Sequence, residues 1–381
     1  MPYWRLSSYY LFYFASLGAL VPYWGLYLQD AGFDALAIGL LMAILAGTKI
    51  VAPMVWGAIV DHSGQRMPVV RLGAVLAVLG LATLYLTDGF WGMALTLLLF
   101  SFFWNASLPQ MEAVTFNHLR DRPTRYALVR VWGSVGFILV VVALGLALEQ
   151  GSLAQVPLWV LVLALGISVT AWLVPDSAPP EHPTAPAASL RTVIRQPRVL
   201  AFFAACFLSQ LSHGLYYTFY SIHLEAAGYS STAVGWLWAV GVIAEVLIFL
   251  VMHRLLERFG ARRVLLWSLA VAGVRWALIG GCVEQLSVLI VAQCLHAISF
   301  GAFHASAIHL VHHIFSGRTQ GRGQALYNSL SFGAGGAAGS LLGGLLWSAV
   351  GPLVTFGVAA IAAVGGWLVA WRWMDRTLDR H

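Results

Sequence analysis

Two stretches decide how this chain is built: Leu28-Gln29-Asp30-Ala31-Gly32-Phe33 and, 196 residues further on, Leu224-Glu225-Ala226-Ala227-Gly228-Tyr229. The same offset carries Ile38-Gly39 onto Val234-Gly235, and Asp61, Gly64 and Arg66 onto Glu257, Gly260 and Arg262. An offset held over separate motifs means that the second half of the chain repeats the first. Each repeated stretch also sits where one long apolar run gives way to the next, with glycine at the turn.

Outward from these turns, apolar runs occupy residues 7–28, 36–60, 68–87, 91–119, 126–148, 155–174, 199–225, 232–256, 262–282, 286–315, 321–349 and 351–371. Crossing about 30 Å of hydrocarbon takes roughly 20 mostly apolar residues in a helix. The runs are that long and show no alternation of period two, so they predict helices rather than strands. The first lacks a small-residue cleavage site and reads as a retained span. Composition agrees: of 381 residues, 60% are hydrophobic and 9% charged, which excludes a water-soluble globular enzyme and a disordered chain. Three cysteines, Cys206, Cys282 and Cys294, all inside apolar stretches, exclude a disulfide scaffold and read as small core hydrophobes. The expected fold is therefore all-α integral membrane, with twelve transmembrane helices in two six-helix halves, residues 1–174 and 199–381. A linker at 175–198, marked by Pro175, Pro179, Pro180, Pro183, Pro186 and Pro197, joins them.

Apart from Lys49, Arg130 and Arg275, every one of the 21 basic residues lies near a terminus or in an even-numbered connection. The odd-numbered connections carry Asp30, Asp34, Asp88, Glu149, Glu225 and Glu284 and no base. Since cytoplasmic loops retain Lys and Arg, both termini and the linker are expected in the cytoplasm, as in a bacterial inner membrane. The net charge of +6 is then a set of topology signals and calls for no nucleic-acid partner. Two parallel six-helix halves are the pattern of the major facilitator superfamily, with substrate bound near the membrane midplane between them. The loop Gly57-Ala58-Ile59-Val60-Asp61-His62-Ser63-Gly64-Gln65-Arg66 resembles that family's signature after the second helix. The resemblance implies a conformational latch made by Gly57, Asp61, Gly64 and Arg66.

With loop charges set aside, Lys49, Glu112, Arg130, Glu245 and Arg275 remain inside predicted spans. An ionisable group at membrane depth costs at least about 2.5–3.5 kcal/mol, so it is expected to face a cavity or a partner. Lys49 is the only lysine and the repeat mate of Glu245. Three bases against two acids leave one positive charge, which an anionic substrate would balance. Glu245, about a dozen residues from the inner end of its helix, is the first candidate for a proton carrier. Histidines crowd the tenth run, where His296 and His304 share a face with Phe300 and are candidates for proton relay and substrate contact. Gly335, Gly339 and Gly343, four residues apart, predict a close helix crossing.

The string Asn105-Ala106-Ser107-Leu108-Pro109-Gln110-Met111-Glu112-Ala113, followed by Val129-Arg130-Val131-Trp132-Gly133-Ser134, resembles the lactose permease branch of the superfamily. The second half is similar to bacterial 3-phenylpropionate permeases in Ala226-Ala227-Gly228-Tyr229-Ser230, Ala233-Val234-Gly235-Trp236-Leu237-Trp238, Ala244-Glu245-Val246, Val274-Arg275-Trp276 and Leu295-His296. The resemblance implies a proton-coupled symporter working by alternating access. Matched position by position, it implies substrate contacts at Glu112, Arg130, Trp132 and Phe137, and a coupling network that includes Arg275 and His296. Ser299 stands where lactose permease has its proton-carrying acid, and Gly214 and Tyr217 replace its helix 7 acids. The basic residue matching Lys49 is shared with the phenylpropionate permeases. An organic acid is therefore expected in preference to a sugar, with a guanidinium for its carboxylate and aromatic walls for its ring.

The expected set is thus Lys49, Asn105, Glu112, Arg130, Trp132, Phe137, Tyr217, Arg275 and His304 for substrate, and Glu245, Arg275, His296 and Glu112 for protons. A monomeric transporter follows, with a small organic anion, protons and lipid as partners, no enzymatic activity, no cofactor and no metal. A sugar or nucleoside symporter of the same fold is the alternative. A histidine-rich membrane oxygenase is a remote rival suggested by His309-Leu310-Val311-His312-His313. No phosphate-binding loop is present, so a gradient would have to supply the energy.

Overall fold

A computed structural model describes residues 1–119, 125–177, 190–315 and 319–375. Among these residues the regular structure is helical, with no strand. The long helices are α1 Tyr3–Asp30, α2 Ala35–Ser63, α3 Arg66–Tyr85, α4 Gly89–Leu119, α5 Tyr126–Gln150, α6 Leu153–Leu173, α7 Pro197–Ala226, α8 Ser231–Phe249, α9 Ala261–Gly281 and α10 Leu286–Ile314. A last helical stretch, Gln320–Trp373, breaks at Gly351, whose φ of 80° and ψ of 173° are non-helical. That break divides it into α11 (residues 320–350) and α12 (residues 352–373), completing twelve long apolar helices.

Sequence explains where they stop. Gly32, Gly64, Gly228 and Gly351 all hold positive φ, a conformation that costs glycine nothing and other residues much. Gly64 closes α2 in the left-handed region, its N–H bonded to Val60 O at 2.8 Å. Asp34 opens α2 by accepting from the Ala37 N–H at 2.7 Å. One boundary differs from the sequence reading: the eighth run was expected to continue to residue 256, but α8 ends at Phe249. A separate short helix, Met252–Phe259, follows. Its Leu255, Leu256 and Phe259 pack against buried Met252, Val264 and Ala302 while His253, Arg254, Glu257 and Arg258 are exposed. An amphipathic segment of this kind cannot continue a span that is apolar on every side.

The chain forms two compact units, Met1–His182 with Tyr229–Ala239, and Pro183–Gly228 with Val240–His381. Of the expected linker, residues 178–189 lie outside the described residues, and Leu190–Ile194 form one short helix. Arg120, Arg122, Arg318, Arg376 and Arg380 also lie outside them.

Within the first unit α1 packs on α5 and α6, α3 on α4 and α6, and α2 on α4. Within the second, α7 packs along the stretch that holds α11 and α12, and α9 packs on that stretch and on α10. The α1–α5 and α3–α4 pairs of the first unit thus have counterparts in the second, α7 on the last helical stretch and α9 on α10. Small residues make the closest approaches: a Cβ on Gly18 would lie 2.7 Å from Phe137 O of α5, and one on Gly335 would lie 2.7 Å from Phe207 O of α7. Gly339 meets Leu211 and Gly343 meets the Phe219 ring, so the expected glycine stripe is the α7–α11 crossing. Two arginines that read as loop charges also serve structure. Arg71 donates to Ala171 O and Val174 O at the end of α6, and Arg262 to Met374 O and Trp371 O at the end of α12. Each satisfies helix-terminal carbonyls with a cation, where the helix dipole favours one.

Candidate functional site

The polar residues inside the spans fall into one group per unit. In the first, Asn105 of α4 donates from Nδ2 to Thr48 Oγ1 of α2 at 3.0 Å. Thr48 donates to Ser101 Oγ at 2.9 Å, and Ser101 to Leu97 O at 2.6 Å. This chain of donors ties α2 to α4 and consumes part of the Asn105 amide. Lys49 is the next residue along, and its ammonium has no hydrogen bond or ion pair among the described residues. Prolines four residues on, Pro53 and Pro109, have no N–H to give the carbonyls of Lys49 and Asn105. The two candidate residues therefore also carry backbone acceptors released from the helical ladder.

Further along α4, Glu112 accepts from the Tyr126 hydroxyl at 3.1 Å and lies within the field of Arg130. Arg130 stands over the Phe14 ring at 3.6 Å and the Tyr10 ring at 5.8 Å. Tyr10 in turn shares a 3.0 Å hydrogen bond with Thr115. The structure thus brings Glu112 and Arg130 together among tyrosines. Tyr13 and Trp104 stack at 4.8 Å and 5°, and the buried Trp104 Nε1 has no hydrogen-bond partner among the described residues. Trp132 is elsewhere: its Nε1 donates to Tyr3 Oη at 2.9 Å and its ring packs on Trp4. Phe137 offers its backbone to Gly18. Of the latch residues, Gly64 is a helix stop, while Asp61 is exposed and makes no ion pair with Arg66.

The second unit holds a larger cluster. Arg275 of α9 is fully buried, 0% exposed. Its Nε donates to Ala292 O at 2.9 Å and its Nη2 to Gln293 Oε1 at 3.2 Å. The guanidinium lies 4.3 Å from the centre of the Tyr216 ring and 4.5 Å from that of Trp276. Among the described residues its Nη1 has no hydrogen-bond partner and no carboxylate is within ion-pair distance. Glu245 of α8 instead stands 3.5 Å from His296 Nε2 of α10.

From there His296 stacks on Phe300 at 5.1 Å and 6°, and Phe300 on His304 at 6.2 Å and 7°. His304 Nδ1 meets the Tyr327 hydroxyl at 3.3 Å. The shared face expected of α10 is thus a continuous ladder. It runs through a stretch, Ala297–Ala302, where the hydrogen bonds widen from i+4 to i+5, a local form often found at functional sites. Ser299 is buried there, and its hydroxyl has no hydrogen-bond partner among the described residues. Tyr217 sets its ring edge to Phe300 and packs on His213.

Sequence reasoning passed over His213 and Gln293. His213 is fully buried in α7 and donates from Nδ1 to Ser209 O at 2.9 Å, while its Nε2 has no hydrogen-bond partner among the described residues. A histidine and a glutamine inside apolar runs are visible signals, but neither carries a formal charge, lies in the histidine-rich face of the tenth run or falls on a position matched by the resemblance. The structure also explains why position 214 is glycine. Its Cα faces Gly336 and Gly339 across the α7–α11 crossing, and no side chain fits.

The MFS_1 like family model matches residues 3–358 of the chain. The chain belongs to this family. It is 32% identical over 368 residues, 93% of each chain, to the "Probable 3-phenylpropionic acid transporter" of Escherichia coli (strain K12). It is 27% identical over 369 residues to the maltose permease of Geobacillus stearothermophilus, covering 93% of this chain and 91% of that one. In fold it resembles the nucleoside transporter NupG, with a TM-score of 0.81 at 17% identity over 100% of both chains. The protein is thus a multi-pass membrane transporter of the major facilitator fold rather than an enzyme, which sets aside the oxygenase reading. Among the described residues no three His, Cys, Asp or Glu side chains are grouped to hold a metal ion.

Proposed function

We propose that this family member is a proton-coupled symporter that imports a small organic acid, an aromatic carboxylate such as 3-phenylpropionate, by alternating access. The observation that carries the reading is Arg275: a buried guanidinium held between the Tyr216 and Trp276 rings by neutral acceptors alone. A cation left without a counter-ion in a membrane span is costly, and an anionic substrate would supply one. Lys49, also unpaired among the described residues, adds a second positive charge of the same sense. The 32% identical relative is named for such an acid. In this reading Arg275, Lys49 and Arg130 attract the carboxylate, with Asn105, Glu112, Phe137, Tyr217 and His304 as further substrate contacts. The Glu245–His296 pair takes up and releases the proton, with Glu112 as a second acid. Gly57, Asp61, Gly64 and Arg66 act as a latch in another conformational state. The protein works as a monomer in a bacterial inner membrane with both termini in the cytoplasm.

The test is uptake of labelled 3-phenylpropionate into proteoliposomes with and without an inward proton gradient. Gradient-driven accumulation is expected for the wild type and its loss for Arg275→Gln. A second reading, a sugar or nucleoside symporter, is favoured by the similarity to the maltose permease. Gradient-driven flux of maltose or uridine with no uptake of the acid would establish it.

A further inference from the structure

Gln293 occupies an unusual position beside the buried arginine. Its Oε1 accepts from both Arg275 Nη2 at 3.2 Å and the Tyr216 hydroxyl at 3.1 Å. Its Nε2 and Arg275 Nη1 are both buried and have no hydrogen-bond partner among the described residues, with Gln293 1% and Arg275 0% exposed. A glutamate in the same place would accept the same two hydrogen bonds, leave no orphaned amide N–H, and neutralise the guanidinium. On stability alone a buried cation without a counter-ion favours the acid. The chain has the amide, and the carboxylate of this cluster, Glu245, stands on His296.

We propose that Gln293 determines charge specificity: it positions Arg275 without cancelling its charge, so that the site prefers a carboxylate substrate to a neutral molecule of the same shape. The four groups that hold the guanidinium, the Ala292 carbonyl, the Gln293 amide oxygen and the rings of Tyr216 and Trp276, are all uncharged. No direct counter-ion cancels the positive charge, which in surroundings of low dielectric is felt beyond contact distance, while Glu245 of the same cluster is held on His296. This inference rests on the anionic-substrate reading above. Gln293 is a positioning residue in it and need not touch the ligand.

The experiment is equilibrium binding of 3-phenylpropionate and its neutral isostere 3-phenylpropionamide to the full chain in lipid nanodiscs, with the ratio of the two affinities as readout. The wild type is expected to favour the carboxylate by about tenfold or more, the scale of a charge-assisted contact. Gln293→Glu should reduce that ratio by on the order of tenfold, because the new carboxylate neutralises Arg275. Gln293→Met, of similar length and no charge, should keep the ratio within about threefold even if both affinities fall, since the guanidinium stays charged. An unchanged ratio in Gln293→Glu, or an equal loss of ratio in Gln293→Met, overturns the inference while leaving the anionic-substrate reading intact. A wild type with no preference, or no binding of either molecule, overturns that reading and this inference with it.

Discussion

Lys49 and Glu245 hold the same place in the repeat, yet their surroundings differ. The lysine stands without a partner among the described residues, beside a chain of donors running from Asn105 through Thr48 to Ser101. The glutamate faces a histidine at 3.5 Å, and that histidine leads into the ladder of Phe300, His304 and Tyr327. A carboxyl beside an imidazole within reach of a buried arginine can exchange its proton as these neighbours move. Glu245→Gln, which keeps the shape and removes the proton site, is expected to abolish gradient-driven accumulation while exchange of internal for external substrate continues. Coupled uptake at the wild-type level would remove Glu245 from the mechanism. The five intramembrane charges were legible in the sequence because charge is rare in apolar runs. The partners were not, because each lies on another helix: Tyr126 for Glu112, Phe14 for Arg130, Gln293 for Arg275.

At the level of helices, glycines fix which surfaces meet. Gly214 of α7 crosses Gly336 and Gly339 of α11, and neighbouring Gly335 and Gly343 let backbone and ring atoms close in. Gly339→Val would drive a branched side chain into the Leu211 backbone and is expected to destabilise the protein by about 1–3 kcal/mol, the usual cost of overpacking. A thermal melt in detergent measures this. Gly357, beside which a Cβ meets nothing within 4 Å, is the matched control: Gly357→Ala should leave the melting temperature unchanged or raise it slightly. Equal losses in both variants would mean that the crossing is not what the glycines serve. The four-residue spacing gave away that a crossing exists; its partner helix came only from packing.

For the whole molecule, the sorting of arginines and acids between alternate connections predicts an orientation that labelling can check. Single cysteines placed at Asp88 and Glu149 in a background without Cys206, Cys282 and Cys294 are expected to react with an impermeant maleimide in intact cells. A cysteine at Gln65 should react only after the membrane is opened. The reverse pattern would invert the topology. Arg71 and Arg262 bear on such arguments, since both hold the last carbonyls of α6 and α12 as well as adding positive charge at their helix ends. Sequence could not separate the two roles, because a capping arginine and a topology arginine are the same residue type near the same boundary.

What the chain's sequence determined by itself was whatever depends on local composition and on order along the chain. Run length and apolar content specify spanning helices, glycines at positive φ specify where they end, and a constant offset specifies the repeat. Even the break at Gly351 that separates α11 from α12 was written as two adjacent runs. Tertiary structure alone decided which polar groups meet. Burial removes water as an alternative partner, so each donor or acceptor must answer to whatever side chain another helix presents. That is why Arg275 answers to a neutral Gln293 and Glu245 to His296, and why Gly214 stands where a side chain has no room.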